Sequence, residues 1–184
     1  MAKQQKNELM EWLKAILVAI VVASLIRIFL FAPIVVEGDS MEPTLHTKDR
    51  MIVNKIGKRL GTIDRFDIIV FHASQNRDYI KRVIGLPGDK IVYKDDILYV
   101  NGEPIEEPYL EANKEELIGS PLTESFTLQE ITGEKTVPQG QLFVMGDNRR
   151  YSKDSRHIGF IQKDQVVGET ALVYWPLSKI RLIK

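Results

Sequence analysis

The sequence predicts a mainly β protein in which an N-terminal transmembrane helix precedes an antiparallel, barrel-like or sandwich-like domain. Two observations lead to this fold class. Residues 15–36 contain a single charged residue, Arg27, and are long enough to cross a bilayer. Beyond residue 45 the apolar residues occur in short runs rich in β-branched side chains, without a long helical period. The 184 residues suffice for one domain with an elaboration.

The N-terminal segment is predicted to be one retained membrane span. We place the helix at 15–33, because Pro33 is expected to end it. Lysines precede this segment and acidic residues follow it. The positive-inside rule therefore puts residues 1–14 in the cytoplasm and residues 34–184 outside. We expect a single-pass protein of the cell membrane, with the lipid bilayer as one partner.

Two other interpretations of this segment are open. A cleaved signal peptide needs small residues before the cut. A cut after Ala32 would place Leu30 three residues before the cut and Pro33 directly after it. A buried core helix would normally be polar on one face, whereas this stretch is apolar all round. The sequence therefore favours the retained span.

Short apolar runs predict the strands of the following domain, at 51–53, 68–71, 79–84, 91–93, 97–100, 142–145 and 171–174. Asn101–Gly102 predicts a hairpin turn, and Gly85–Asp89 predicts a tight turn. Residues 103–138 are rich in glutamate and are interrupted by glycine and proline. We interpret them as a hairpin followed by a loop excursion whose acidic side chains face solvent.

A serine lies in a predicted turn directly after the apolar segment. Residues 38–45 read Gly-Asp-Ser-Met-Glu-Pro-Thr-Leu. Glycine and aspartate favour a turn, which can expose the Ser40 hydroxyl and direct backbone N–H groups toward one point. A serine hydroxyl is a weak nucleophile, so catalysis would also need a base and an anion-stabilising pocket. By itself the segment is equally compatible with an ordinary surface turn.

Two further segments could supply the missing groups. If residues 79–84 form a strand, Lys81 shares a face with Tyr79 and Val83. Burial there would lower the pKa of its amine and allow it to act as a general base, although a lysine extending from a sheet edge is the simpler alternative. Residues 146–156 are dense in Asp, Asn, Ser and Arg. They can brace loops and orient an ammonium group, or form a plain polar turn.

Together, the three segments resemble the bacterial type I signal peptidases. In order, they read Gly-Asp-Ser-Met-x-Pro-Thr-Leu, Tyr-Ile-Lys-Arg-Val-Ile-Gly-Leu-Pro-Gly-Asp and Gly-Asp-Asn-Arg-x-x-Ser-x-Asp-Ser-Arg. Asp67–Phe71 resembles the remaining sequence box of the family. The resemblance extends over residues 12–174. The short chain with one predicted span is similar to the enzymes of Bacillus and its relatives.

The resemblance implies a serine endopeptidase that removes signal peptides from secretory pre-proteins at the outer membrane face. By the same resemblance, such an enzyme would cleave after small residues in an Ala-x-Ala pattern and would form an acyl-enzyme. Ser40 would be the nucleophile and Lys81 the general base, with no cofactor or metal. The Ser40 N–H would contribute to the oxyanion hole. Some family members use a serine hydroxyl two residues before the nucleophile, where this chain has Gly38, so the second donor is open.

The resemblance also assigns supporting and substrate-binding residues. Ser152 corresponds to the family serine that orients the lysine, and the loop-bracing positions are Asp147, Asp154 and Arg156. The substrate pocket would be lined by Ile34, Val36, Met41, Leu45, Asp78, Tyr79 and Ile80. Residues 78–80 would pair with the substrate backbone as an added strand.

The sequence argues against several other functions. The 25 basic and 25 acidic residues balance, whereas nucleic-acid binding needs a basic excess. No cysteine is present, which excludes disulfides, thiolate metal sites and a cysteine nucleophile. His-Glu-x-x-His, Ser-x-x-Lys and Gly-x-Ser-x-Gly are absent. The sequence gives no indication of oligomeric state.

Three alternative functions are compared with the peptidase. A Ser–His hydrolase would have to use one of three histidines, His46, His72 and His157, none of which lies in a triad-like segment. A self-cleaving repressor would need an N-terminal DNA-binding helix pair where the predicted span lies. A membrane-anchored β binding module without catalytic activity would tolerate replacement of Ser40 and Lys81.

Overall fold

The computed structural model describes residues 2–29, 31–55, 63–74, 77–117 and 119–183. Helix α1, Ala2–Phe29, is followed by strand β1, Phe31–Val35. Helix α1 contains most of the predicted span at 15–33 but begins earlier in the chain. The expectation that Pro33 ends the helix is wrong, because α1 ends at Phe29 and Pro33 lies in β1. Pro33 has no backbone N–H to donate, which suits β1 because this strand forms the edge of its sheet.

The transmembrane character of the N-terminal segment is not confirmed. Within the residues that the structure describes, no helix is both long and apolar enough to cross a membrane. Helix α1 includes the charged residues Glu8, Glu11 and Lys14 in addition to the apolar stretch. These charges lie outside the predicted span but inside the helix that forms.

The remaining chain forms two antiparallel sheets among the described residues. The strands after β1 are β2 Arg50–Asn54, β3 Ile68–Ser74, β4 Arg77–Gly85, β5 Ile91–Lys94, β6 Ile97–Val100, β7 Glu103–Ile105, β8 Phe126–Thr127, β9 Gln141–Met145, β10 Ile161–Gln162, β11 Val166–Trp175 and β12 Arg181–Leu182. The larger sheet has the order β1-β2-β11-β3-β4-β9-β10, and β12 pairs with β11. The smaller sheet has the order β7-β6-β5-β8. The mainly β, antiparallel prediction is confirmed.

Local turn chemistry explains the hairpin of the smaller sheet. Asn101 and Gly102 have φ values of 55° and 92° and join β6 to β7, as predicted. The rest of the predicted excursion forms the short helices α2, Glu111–Glu115, and α3, Leu128–Thr132. The expectation that its acidic side chains face solvent is wrong for Glu107, which is buried.

An apolar cluster beneath β1 and β2 fixes the segment that carries Ser40. Val36, Met41 and Leu45 are buried in this cluster, on both sides of the serine. The neighbouring backbone is also paired, because Val36 N–H donates to the Asp49 carbonyl over 2.8 Å. Burial of these flanking side chains holds the Ser40 turn against the sheet.

Candidate active site

Ser40 and Lys81 meet at the junction of the Ser40 turn and β4. The Lys81 Nζ atom lies 2.7 Å from the Ser40 Oγ atom. It also donates to the Ile80 carbonyl over 2.9 Å and lies 5.3 Å from the centroid of the Tyr79 ring. Only 3% of Lys81 is exposed, so the simpler interpretation, a lysine extending into solvent from a sheet edge, is wrong.

The surroundings of Lys81 make its neutral form accessible at a lower pH than for an exposed lysine. Burial lowers the pKa of its amine from 10.5 to about 8, against the opposing effect of the Asp154 and Asp147 carboxylates. A neutral amine within hydrogen-bond distance of a hydroxyl can accept its proton. The pair therefore has the geometry and the electrostatics that an activated serine needs.

Asp154 braces the loop that follows β9. Its Oδ2 atom accepts from the Gly146 N–H over 3.0 Å and from Arg156 over 2.8 Å. Its side chain also caps helix α4, Ser155–Ile158. Burial alone would raise the pKa of this carboxyl, but the hydrogen bonds and charge of Arg156 outweigh burial and lower its pKa. A carboxylate therefore faces the lysine from this loop.

Asp147 joins the two segments that carry Ser40 and Lys81. It accepts from Arg82 on both oxygens, over 2.9 Å and 2.7 Å, and from the Thr44 hydroxyl over 2.5 Å. Both members of the Arg82–Asp147 ion pair are buried. Arg82 is thus a bracing residue rather than a second candidate base, as the strand alternation predicts.

The turn after Asp147 is attached directly to the serine. The Asn148 N–H donates to the Ser40 carbonyl over 3.1 Å, and its side-chain amide donates to the Asp39 carbonyl over 3.1 Å. A Cβ atom on Gly146 would collide with the Ser40 carbonyl and the Ser152 hydroxyl. Only glycine therefore allows this approach between the two loops.

Ser152 lies in the site, but the structure does not show it orienting the lysine. Its hydroxyl is buried and close enough to Asp154 to help lower the pKa of that carboxyl. It makes no well-aligned hydrogen bond to any described residue, Lys81 included. The orienting role inferred from the family resemblance therefore stays a prediction.

A cleft of about 740 Å³ opens beside Ser40 and Lys81. Six of the predicted substrate-binding residues line it: Ile34, Val36, Met41, Asp78, Tyr79 and Ile80. Leu45 does not line this cleft and is fully buried in the core behind the serine turn. The turn hydrogen bond from the Leu45 N–H to the Met41 carbonyl, over 2.9 Å, directs Leu45 into the core.

Several charged residues that line the cleft were not predicted from the sequence, namely Glu37, Asp39, Arg77 and Lys153.

Sequence reasoning also missed Arg149. Its guanidinium is buried, donates to Glu107 over 2.6 Å and to the Tyr93 hydroxyl over 2.7 Å, and bonds the Gly146 carbonyl over 3.1 Å. The Arg149–Glu107 ion pair and the bond to Tyr93 connect the smaller sheet to the loop that follows β9. Glu107 and Arg149 are far apart in the sequence. The residues around each of them give no indication that the two side chains pair.

A serine hydroxyl paired with a buried lysine amine beside a peptide-sized cleft is the arrangement of a serine peptidase. The family model described as signal peptidase, peptidase S26, matches residues 9–175. The chain belongs to this family, which confirms the resemblance seen in its sequence.

Individual relatives agree with this assignment. The chain is 51% identical over 179 residues to a signal peptidase I of Bacillus caldolyticus, covering 97% of both chains. It is 42% identical over 180 residues to a signal peptidase IB of Staphylococcus aureus strain Mu50, covering 96% of this chain and 94% of the relative. A crystal structure of a signal peptidase I from Enterococcus faecalis V583 matches with a TM-score of 0.57 and 44% identity, covering 59% of this chain and 96% of that one.

Proposed function

We propose that this chain is a membrane-bound endopeptidase that removes N-terminal signal peptides from secretory pre-proteins, using Ser40 and Lys81 as a catalytic dyad. The observation that carries the proposal is the 2.7 Å separation between Lys81 Nζ and Ser40 Oγ. Family membership supports the removal of signal peptides. The dyad, the cleavage specificity and the membrane attachment go beyond family membership, and they combine the family resemblance with the geometry and apolar segment of this chain.

The dyad would work in two stages. Neutral Lys81 takes the Ser40 proton while Ser40 Oγ attacks the scissile carbonyl, forming a tetrahedral oxyanion. The lysine then returns this proton to the departing amine, and the C–N bond breaks to leave an acyl-enzyme. In the second stage Lys81 takes a proton from water while the oxygen of that water attacks the ester carbonyl. The C–O bond to Ser40 then breaks, Lys81 returns the proton to Ser40 Oγ, and the signal peptide leaves with a free carboxylate.

The oxyanion would be held by the backbone next to the nucleophile. No hydrogen bond from the Ser40 N–H to another described residue is present, so this donor is available to a developing charge. Gly38 has a φ of 84° and lines the same cleft. It has no side-chain donor, so any second hydrogen bond from this position comes from its backbone.

The direct test of the proposal is precursor processing by the full-length protein in neutral detergent. The wild-type chain should release the signal peptide from a purified secretory precursor, and Ser40→Ala should release none above background. Ser178→Ala, an exposed serine outside the cleft, is the matched control and should process normally. Normal cleavage by Ser40→Ala would reject Ser40 as the nucleophile.

The apolar side of the cleft should restrict the residue before the cut. A precursor with leucine in place of alanine there should be processed at least about tenfold more slowly, because the extra side chain overpacks a site lined by Val36, Met41 and Ile80. kcat/KM for the two precursors measures the effect. Equal values would mean that these residues do not form a small-residue pocket.

We also propose that α1 attaches the chain to the bilayer, with residues 1–14 cytoplasmic and the β domain outside. Trp12 and Leu17 are 72% and 62% exposed, and no charged residue lies between Lys14 and Arg27. Protease added to wall-free cells should remove a C-terminal tag and spare an N-terminal tag. The reverse protection pattern would overturn this orientation.

The pH dependence of catalysis should follow Lys81. Burial lowers the pKa of its amine to about 8, so the neutral, proton-accepting form grows as pH rises. We expect kcat/KM to increase through a midpoint near pH 8, and this midpoint should persist in His46→Gln, His72→Gln and His157→Gln. A midpoint near ~6.5 that disappears in one histidine variant would instead identify a histidine base.

A further inference from the structure

The cleft beside Ser40 has two chemically different sides. One side is apolar and belongs to the core cluster beneath the serine turn, with Ile34, Val36, Met41, Val70 and Ile80. The other side contains Arg77, Tyr79 and Lys153. These three residues also border an adjoining cavity of about 260 Å³, and Tyr79 packs on a different core cluster. Strand β4 separates the two sides, because its alternate side chains point in opposite directions.

The side chains of Arg77 and Lys153 are exposed cations. Neither side chain forms an ion pair or hydrogen bond with another residue that the structure describes. Of the acidic residues that line the cleft, Asp78 bonds His72 over 2.6 Å, and Asp39 accepts from Thr47 over 3.0 Å. Glu37 is the remaining acid and lies on the β1 side. Among the described residues, none of these carboxylates bonds Arg77 or Lys153, so the two cationic side chains are open to a ligand.

In an extended substrate, successive side chains point in opposite directions. This alternation decides which substrate side chains can reach Arg77 and Lys153. If the first and third residues before the cut enter the apolar side, the second and fourth must face the opposite side. Arg77 precedes Lys81 by four positions, about 13 Å along a strand. Arg77 is then level with the fourth residue before the cut, and Lys153 lines the same small cavity as Arg77 and Tyr79.

We propose that Arg77 and Lys153 form a cationic subsite that selects acidic substrate side chains at the second and fourth residues before the cut. The proposal rests on the proposed peptidase function. Both cations are solvent-exposed, so each contributes modestly and is weakened by salt. Together they should give about a three- to tenfold preference for glutamate over lysine.

The test uses peptides that share one cleavage site and differ only in Glu, Gln or Lys at the second or fourth residue before the cut. kcat/KM is measured for the full chain in neutral detergent at low and high salt. The variants are Arg77→Gln, Lys153→Gln and the double variant. Lys135→Gln removes an exposed positive charge outside the cleft and is the matched control.

The expected result is a Glu-over-Lys preference at one or both positions that shrinks in each variant, nears unity in the double variant and falls at high salt. Lys135→Gln should keep the full preference. Equal rates for Glu and Lys peptides, or a preference that survives in the double variant, would overturn the subsite. The Gln peptides separate this failure from failure of the peptidase function, because they should be cleaved by every variant that retains Ser40 and Lys81.

Discussion

Lys81→Arg is expected to be as inactive as Lys81→Ala, with both losing several orders of magnitude in kcat. A guanidinium stays charged at every accessible pH and cannot accept the Ser40 proton. Because only 3% of Lys81 is exposed, the longer arginine would also displace its neighbours. Single-turnover cleavage of a precursor, with folding checked by circular dichroism, measures the loss.

Lys90→Arg provides the matched control, since it makes the same chemical change on an exposed lysine outside the cleft. It should process precursor at the wild-type rate. Substantial cleavage by Lys81→Arg would remove Lys81 as the base. It would reopen the Ser–His alternative, because the protein would then need another group to take the serine proton.

Arg149→Ala should lower the free energy of unfolding by about 3–5 kcal/mol, because it leaves the Glu107 carboxylate buried without its cation. Loss of the bond to Tyr93 adds an unpaired hydroxyl in the same place. Urea denaturation of the full chain in neutral detergent measures the change. Arg149→Met combined with Glu107→Gln removes both charges and should recover part of the loss.

The neighbouring residue offers a control for this stability effect. Arg150 is exposed and bonds Ser120 and the Pro121 carbonyl at the surface. Arg150→Ala should change the unfolding free energy by no more than about 0.5 kcal/mol. An equal loss in Arg149→Ala and Arg150→Ala would show that the buried pair does not hold the two sheets together.

Local signals predicted most of the strands and failed where structure depends on distant partners. Asn101–Gly102 defines its hairpin through its own positive φ values, so sequence alone suffices there. Strand β12 is two residues long and is held by Leu172 and Val173 of β11. Strand β1 continues the apolar run of the helix. Hydropathy alone therefore does not show where the helix ends and the strand begins.

The same division applies to the site. The motif with Ser40 and the motif with Lys81 are each a continuous stretch of sequence, so each can be recognised locally. The fold then brings the two side chains together in one cleft. Leu45 belongs to such a motif but fills the core, because motif membership does not fix side-chain direction. The Arg149–Glu107 pair and the cationic side of the cleft combine residues from separate segments. No local pattern contains that information.

The position of β11 between β2 and β3 bears on how the protein is made. The serine turn leads into β2, the lysine lies on the partner strand of β3, and β11 joins β2 to β3. Asp147, which bonds both Arg82 and Thr44, also comes late in the chain. A nascent chain carries both reactive groups long before it contains the strand that closes the sheet. The Ser40–Lys81 pair therefore receives its support from β11 and Asp147 only after most of the chain has been synthesised.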